Sequence, residues 1–170
     1  GKAKDVHAIE VARENGEALP EEVKSVYAAL ESVVNVDPAN TVIASTIYAN
    51  KPGDGSAREQ AASCQRVLGA GANIAKEFAT KRYRSNCINW GILPFTLDKD
   101  TPFEYEVGDC VFVPAIRAAV ENGIETIPAK VIRKDGTVED ITLYLKGLTP
   151  DEKEIILDGC LMNYYANRMD

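Results

Sequence analysis

Strand-like and helix-like patterns of apolar residues alternate through the middle of the chain. Residues 41–48 form a β-branched apolar run, residues 57–69 place apolar positions at helical spacing, and residues 73–75 are a short apolar segment. A second helical pattern at 80–89 leads into another strand-like run at 92–97. Because this order is typical of parallel strands joined by crossover helices, the pattern predicts an α/β fold with a largely parallel central sheet.

The N-terminal part of the chain has a different pattern. Apolar residues three and four positions apart predict charged helices at 2–15 and 20–35, within a helical segment at 1–36. A chain of 170 residues is long enough for one hydrophobic core and too short for two comfortable domains. We therefore expect a single domain over residues 1–170, cut from a longer polypeptide.

After residue 105 the pattern changes to that of a hairpin followed by a helix. Strand-like runs at 127–133 and 138–145 flank Lys134-Asp135-Gly136, and Asp-Gly between two such runs is a strong hairpin signal. Residues 109–114 predict a further strand. Thr149 is expected to cap one last helix, which carries the apolar residues Ile155, Ile156, Leu157 and Leu161.

A glycine-rich turn separates the first strand from its helix. Residues 51–60 read Lys-Pro-Gly-Asp-Gly-Ser-Ala-Arg-Glu-Gln. Ser56 is expected to be the helix N-cap, with Glu59 three residues later completing a capping box. Arg58 then lies in the first helical turn, beside the positive end of the helix dipole. A hydroxyl, a guanidinium and free backbone N–H groups would meet in one small space, which predicts a site for a carboxylate.

The same turn also fits a simple helix cap, since a Ser-x-x-Glu box needs no ligand. It lacks the Gly-x-x-x-x-Gly-Lys-Ser/Thr spacing of a phosphate-binding loop. It also departs from the dinucleotide fingerprint, because only one Gly-x-Gly is present and Arg58 stands where the third glycine would be. The turn thus predicts either a small-anion site or a plain cap.

The charge distribution bears on that choice. The net charge of the chain is −7, which argues against general binding of nucleic acid. Residues 51–84 nevertheless hold seven basic and three acidic side chains, a local charge of +4 that leaves −11 for the remainder. A positive middle in an acidic protein fits a small anionic ligand, although the run Lys81-Arg82-Tyr83-Arg84 equally fits a solvated helix face.

The four cysteines and the single histidine do not make a metal site by themselves. Cys64, Cys87, Cys110 and Cys160 are far apart and form no Cys-x-x-Cys pair. The chain shows no export signal and no apolar run of membrane-spanning length, so we interpret the cysteines as reduced, buried thiols of a cytoplasmic protein. His7, on a polar helix, is expected to be solvated.

Three ordered motifs resemble the aconitase family. The turn at 51–60 is followed at the family's spacing by Ile-Ala-Lys-Glu-Phe-Ala at 74–79 and by Arg-Ser-Asn-Cys-Ile-Asn-Trp-Gly-Ile-Leu-Pro at 84–94. With the tail at 148–164, they resemble the C-terminal swivel domain of a bacterial aconitase-like hydratase, the clear match covering residues 41–97. The resemblance implies a β/β/α three-layer swivelling domain.

The resemblance also implies a reaction, a hydro-lyase that removes a proton beside a carboxylate of a hydroxy di- or tricarboxylate such as citrate. It places the base on Ser56 and carboxylate binding on Arg58, with Gly55 and Ala57 contributing to the substrate site. A serine hydroxyl is a weak base unless its alkoxide is stabilised, which a helix N-terminus and a guanidinium could do. In the family a [4Fe-4S] cluster takes the substrate hydroxyl, and its cysteine ligands come from other domains, so we assign none of the four cysteines to it.

The chain departs from the family pattern in three ways. Ala57 replaces a serine often found in the turn, and Gln60 stands where histidine is common. The upstream strand and loop that supply an aspartate and another arginine are not recognisable here. We therefore expect the chain to be inert alone and to need cluster-bearing domains. Two alternatives stay open, a small subunit of the isopropylmalate-isomerase kind and a non-catalytic binding or regulatory module.

Overall fold

The computed structural model describes residues 40–169, which form six strands and five helices. The strands are β1 (Ser45–Ala49), β2 (Ala70–Ala75), β3 (Leu93–Thr96), β4 (Cys110–Phe112), β5 (Thr126–Ile132) and β6 (Val138–Tyr144). The helices are α1 (Arg58–Val67), α2 (Lys81–Asn89), α3 (Ile116–Glu121), α4 (Pro150–Asp158) and α5 (Leu161–Ala166). The helices expected at 2–15 and 20–35, and His7, lie outside the described residues.

The central alternation of the sequence builds the parallel half of the sheet. β2 lies between β1 and β3 and pairs with both in parallel. α1 connects β1 to β2, and α2 connects β2 to β3. This half confirms the predicted order of strands and crossover helices, and it brings the ends of β1, β2 and β3 to one edge of the sheet.

The other half of the sheet is antiparallel, so the expectation of a largely parallel sheet was wrong. The strand order is β1-β2-β3-β6-β5-β4, and every pair beyond β3 in this sheet is antiparallel. The predicted hairpin is confirmed as β5 and β6, and β6 joins β3 through the single pair Thr96–Tyr144. Turn residues mark a hairpin locally, whereas its place in a sheet depends on contacts distant in sequence. The α/β class is confirmed with a mixed sheet, and the three-layer arrangement stays a prediction.

The last predicted helix is two helices. Thr149 caps α4 as expected: the N–H of Glu152 donates to its hydroxyl over 3.2 Å, and the Glu152 carboxylate accepts from the Thr149 N–H over 2.9 Å. Gly159 then takes a φ of +95°, which ends α4 at Asp158. Leu161, expected on the same helix, begins α5 instead.

Buried side chains form two clusters. The larger follows the sheet and includes Phe95 on β3 and Leu143 on β6. The smaller joins α1, α2 and the parallel strands, and consists of Ala62, Ala70, Tyr83, Cys87 and Ile92. The smaller cluster supports the turn that the sequence marks as a candidate site.

The cysteines follow the expectation of burial only in part. Of the four, only Cys87 is fully buried; Cys110 and Cys160 are half-buried and Cys64 is exposed. Cys64 lies two residues after the buried Ala62 on α1, which is 200° around a helix. The prediction of burial was wrong for Cys64 because it faces away from the core.

We expect Gly91→Ala to destabilise the chain by about 2–5 kcal/mol, the sum of left-handed strain and overpacking. Gly91 follows α2 with a φ of +72°, and a Cβ there would lie 1.9 Å from the carbonyl oxygen of Gly159. Gly136→Ala is the matched control, because Gly136 has a φ of +86° and a Cβ there would meet nothing within 4 Å. Urea denaturation measures both, and equal losses in the two variants would contradict the close contact.

We expect stability to fall as the pH rises above about 9. Burial raises the pKa of the Tyr83 hydroxyl to about 12 and that of the Cys87 thiol to about 11, from ordinary values of 10.0 and 9.0. At a pH between the ordinary and the raised pKa of each group, the unfolded chain has lost a proton that the folded chain retains. The free energy of unfolding therefore declines as the pH rises through this range, whereas near neutrality these two groups leave it unchanged.

Denaturation in urea between pH 7 and pH 11 measures this decline. Cys87→Ala should flatten the slope even where it lowers stability overall, since the variant lacks the buried thiol. Cys64→Ala, at an exposed position, should keep the slope of the wild type. A slope shared by all three proteins would contradict the role of the Cys87 thiol.

Candidate functional site

A pocket of about 230 Å³ opens at the end of β1, where the chain turns into α1. The turn supplies Gly55 and Ala57 to its lining, and α1 supplies Arg58 and Gln65. Tyr83 of α2 completes one side. The pocket therefore lies at the glycine-rich turn that the sequence singles out.

Hydrogen bonds hold the turn against the start of α2. The N–H of Ala79 donates to the carbonyl of Pro52 over 2.9 Å, and Thr80 Oγ1 donates to the carbonyl of Gly53 over 3.3 Å. Gly53 has a φ of +96°, and a Cβ there would lie 2.5 Å from atoms of the Tyr83 side chain. Only glycine allows both this conformation and this close approach, so packing on Tyr83 sets the path of the turn.

α1 begins without the capping box expected from the sequence. Its N-cap is Ala57, and no side chain caps it. Glu59 instead accepts a hydrogen bond from Trp90 Nε1 over 2.9 Å. The predicted capping box was wrong because the Glu59 carboxylate bonds to Trp90, a residue distant in sequence, and not to the start of α1. Ser56, one residue before the N-cap, is exposed and its hydroxyl makes no hydrogen bond within residues 40–169.

Arg58 is the first residue of α1, as the sequence predicts. Its Nε is buried and has no hydrogen-bond partner among the described residues. A buried donor without a partner costs about 1–3 kcal/mol. The first N–H groups of α1 lack helical partners too, and the positive end of the helix dipole lies at the same place. An oxygen-bearing anion in the pocket would accept hydrogen bonds from the outer guanidinium nitrogens of Arg58, which have no partner within residues 40–169, and from these N–H groups.

The structure brings three of the four predicted site residues to the pocket. Gly55, Ala57 and Arg58 line it, and Ser56 does not. Gly55 leaves its surroundings open, since nothing lies within 4 Å of the position of a Cβ. Ser56 is therefore an exposed residue of the turn, outside the pocket lining, and no contact within the described part of the chain orients its hydroxyl.

A buried polar cluster lies beneath the pocket, and sequence reasoning missed it. Asn73 on β2 is fully buried, and its Nδ2 lies 3.0 Å from Gln65 Oε1, 3.1 Å from Tyr83 Oη and 3.5 Å from Cys87 Sγ. Tyr83 Oη also donates to Gln65 Oε1 over 3.2 Å. The polar Asn73 within an apolar run was the available signal, but its partners lie on two helices and become neighbours only in the fold.

A larger cleft of about 380 Å³ lies at the ends of β2 and β3 and is lined by three of the seven basic residues between positions 51 and 84. Its charged lining is Lys76, Lys81, Arg84, Lys99 and Lys146 with Glu77 and Asp98.

The run at 81–84 is only partly the solvated helix face of the alternative interpretation. Lys81 and Arg82 are exposed, whereas Tyr83 is buried. Arg84 is half-buried, lies 3.4 Å from Glu152 of α4 and donates to the carbonyl of Lys146 over 2.8 Å. Arg84 therefore links α2 to the C-terminal part of the chain.

The described residues offer no ligand set for an iron–sulfur cluster. Within residues 40–169 no three histidine, cysteine, aspartate or glutamate side chains are grouped so that they could hold a metal ion. The four cysteines lie apart along the fold, with Cys64 on α1, Cys87 on α2, Cys110 on β4 and Cys160 before α5. No helix in this range is long and apolar enough to cross a membrane.

Comparison with known proteins identifies relatives of the chain. The family model of the aconitase C-terminal domain matches residues 8–100. A putative mitochondrial aconitate hydratase of Emericella nidulans is 32% identical over 119 residues, which are 68% of this chain and 15% of that protein. A 3-isopropylmalate dehydratase small subunit of Metallosphaera sedula is 36% identical over 112 residues, 66% of this chain and 58% of the relative.

A methanogen homoaconitase small subunit of Methanocaldococcus jannaschii is 35% identical over 116 residues, 68% of this chain and 58% of the relative. The matched region thus spans a minor part of the aconitate hydratase and more than half of each small subunit. The family match covers over half of the chain and includes the glycine-rich turn and the pocket. The chain belongs to the aconitase family, in which it corresponds to the C-terminal, swivel domain.

Proposed function

We propose that this chain supplies the base and a carboxylate-binding arginine to a hydro-lyase that acts on a hydroxy di- or tricarboxylate such as citrate. The observation that carries the proposal is the Arg58 guanidinium, which lines a pocket at a helix N-terminus and has no hydrogen-bond or ion-pair partner within residues 40–169. A substrate carboxylate would give this donor its missing acceptor. Gly55 and Ala57 line the same pocket and would present backbone to the substrate.

Ser56 is the proposed base. Its hydroxyl has no hydrogen bond to hold it within residues 40–169, so it is free to turn toward a substrate bound beside Arg58. As an alkoxide, Ser56 would remove the proton from the carbon next to the substrate carboxylate, and the hydroxyl group would leave from the neighbouring carbon. The free N–H groups of α1 and the positive end of its dipole stabilise negative charge at this place.

The chain alone is proposed to be inactive. The family's enzymes carry a [4Fe-4S] cluster, which supplies a Lewis acid for the departing hydroxyl group. The described residues offer no ligands for it, so cluster-bearing domains of the same polypeptide or of a large subunit would have to complete the site.

The arrangement of these domains is the second part of the proposal. We favour a swivel domain within a longer hydratase, and the alternative is a separate small subunit of the isopropylmalate-dehydratase kind. Relatives of both kinds match the chain. Expression of the complete gene, followed by gel filtration and mass measurement, separates one long polypeptide from a pair of chains.

We expect Ser56→Ala in the complete protein to lower kcat by about a hundredfold to ten-thousandfold, because a positioned general base contributes a factor in this range. Steady-state hydration of cis-aconitate measures it. Ser63→Ala is the matched control, since Ser63 lies on α1 outside the pocket lining and its hydroxyl donates to the Gln60 carbonyl over 3.3 Å. Full turnover with Ser56→Ala would refute the assignment of Ser56 as the base.

We expect Arg58→Lys in the complete protein to raise KM for citrate about ten- to hundredfold, since a hydrogen bond to a charged group is worth about 1.5–3 kcal/mol and lysine lacks the paired donors of a guanidinium. Arg66→Lys is the matched control, because Arg66 lies on the same helix, outside the pocket lining, and donates to the carbonyl of Ala70 over 2.9 Å. An unchanged KM for Arg58→Lys would contradict the proposed carboxylate contact.

A further inference from the structure

The polar cluster beneath the pocket fixes one side chain of the pocket lining. Gln65 Oε1 lies 3.0 Å from Asn73 Nδ2 and 3.2 Å from Tyr83 Oη. Both neighbours can donate hydrogen bonds, so Oε1 points inward as a double acceptor. Burial raises the pKa of the Tyr83 hydroxyl to about 12, so this group keeps its proton and remains a donor at neutral pH.

The inward position of Oε1 leaves the Nε2 amide of Gln65 as its remaining polar group. Gln65 lines the pocket and is half-buried. Its Nε2 has no hydrogen-bond partner in the described part of the chain, and solvent can reach this atom. The amide therefore offers two N–H donors to whatever fills the pocket.

Gln65 shares this pocket with Arg58 because of helical spacing. The two residues are seven positions apart, or close to two full turns of α1, so they lie on one face of the helix. Helical side chains lean toward the N-terminus, which directs Gln65 toward Arg58 and the turn. The pocket thus has a charged donor at the helix start and a neutral donor farther along the same face.

We propose that Gln65 is a further substrate-binding residue, whose Nε2 donates to a second carboxylate of the polycarboxylate held by Arg58, with Asn73 and Tyr83 as its positioning residues. This inference rests on the proposed function, since it takes a carboxylate at Arg58 as given. A neutral amide suits a second carboxylate because it adds donors without a second buried charge. A ligand with a single carboxylate would reach Arg58 and leave Gln65 unused.

Gln65→Glu in the complete protein tests this with little disturbance of the core. The glutamate keeps an acceptor for Asn73 and Tyr83 but turns an oxygen instead of an N–H group toward the pocket. Gln65→Met removes the donor without adding charge. Gln60→Glu and Gln60→Met are the matched controls, because Gln60 is an exposed glutamine of α1 outside the pocket lining.

Calorimetric titration with citrate, and with 3-isopropylmalate as a second probe, measures binding apart from turnover. We expect Kd and KM to rise about ten- to hundredfold in Gln65→Glu and about tenfold in Gln65→Met, while kcat changes by less than about threefold and both Gln60 variants match the wild type. Tyr83→Phe should raise Kd by a smaller factor and leave kcat in place, as a positioning role requires.

Two results would overturn the inference. One is binding of both probes within about twofold of the wild type in both Gln65 variants, and the other is an equal loss in the Gln60 variants, which would indicate a general effect of charge on α1. The assignment of Ser56 as the base can fail on its own. In that case Ser56→Ala would keep full turnover while the Gln65 variants would still bind the probes more weakly. A wild-type protein that binds neither probe would overturn both proposals together.

Discussion

The buried amide of Asn73 joins the three elements that build the candidate site. It sits on β2 with no exposure to solvent, and its Nδ2 faces Gln65 of α1 and Tyr83 and Cys87 of α2. Burying an amide without hydrogen bonds costs several kcal/mol in an apolar environment, and here Nδ2 has partners whereas Oδ1 has none within residues 40–169. The contacts of Nδ2 tie α1 and α2 to the parallel strands beneath the pocket.

The turn depends on the same arrangement. Tyr83 is held by Asn73 on one side, and Gly53 packs against its ring on the other. The turn therefore has little freedom to move away from α2, and Arg58 enters α1 at a defined position. Its guanidinium lines the pocket and has no partner in the described part of the chain. Packing thus fixes the position of the donor that we propose for a substrate carboxylate.

The family relation is consistent with a substrate site at this turn. The turn that holds Ser56 and Arg58 lies within the region that the family model of the aconitase C-terminal domain matches. The relatives of the chain include an aconitate hydratase, of which the matched region is 15%, and separate small subunits. We propose that the exposed Ser56 becomes effective as a base only when other domains or a partner chain cover the turn.

The sequence by itself determined the strand–helix alternation at 41–97 and the hairpin at Lys134-Asp135-Gly136. It also determined the Thr149 cap and the place of Arg58 at a helix start. These features depend on residues within one turn or one short period of each other. The tertiary structure alone decided that the hairpin joins the parallel strands, that Glu59 binds Trp90 instead of capping α1, and that Asn73 orients Gln65. Each of these depends on partners that are distant in sequence, which no local pattern encodes.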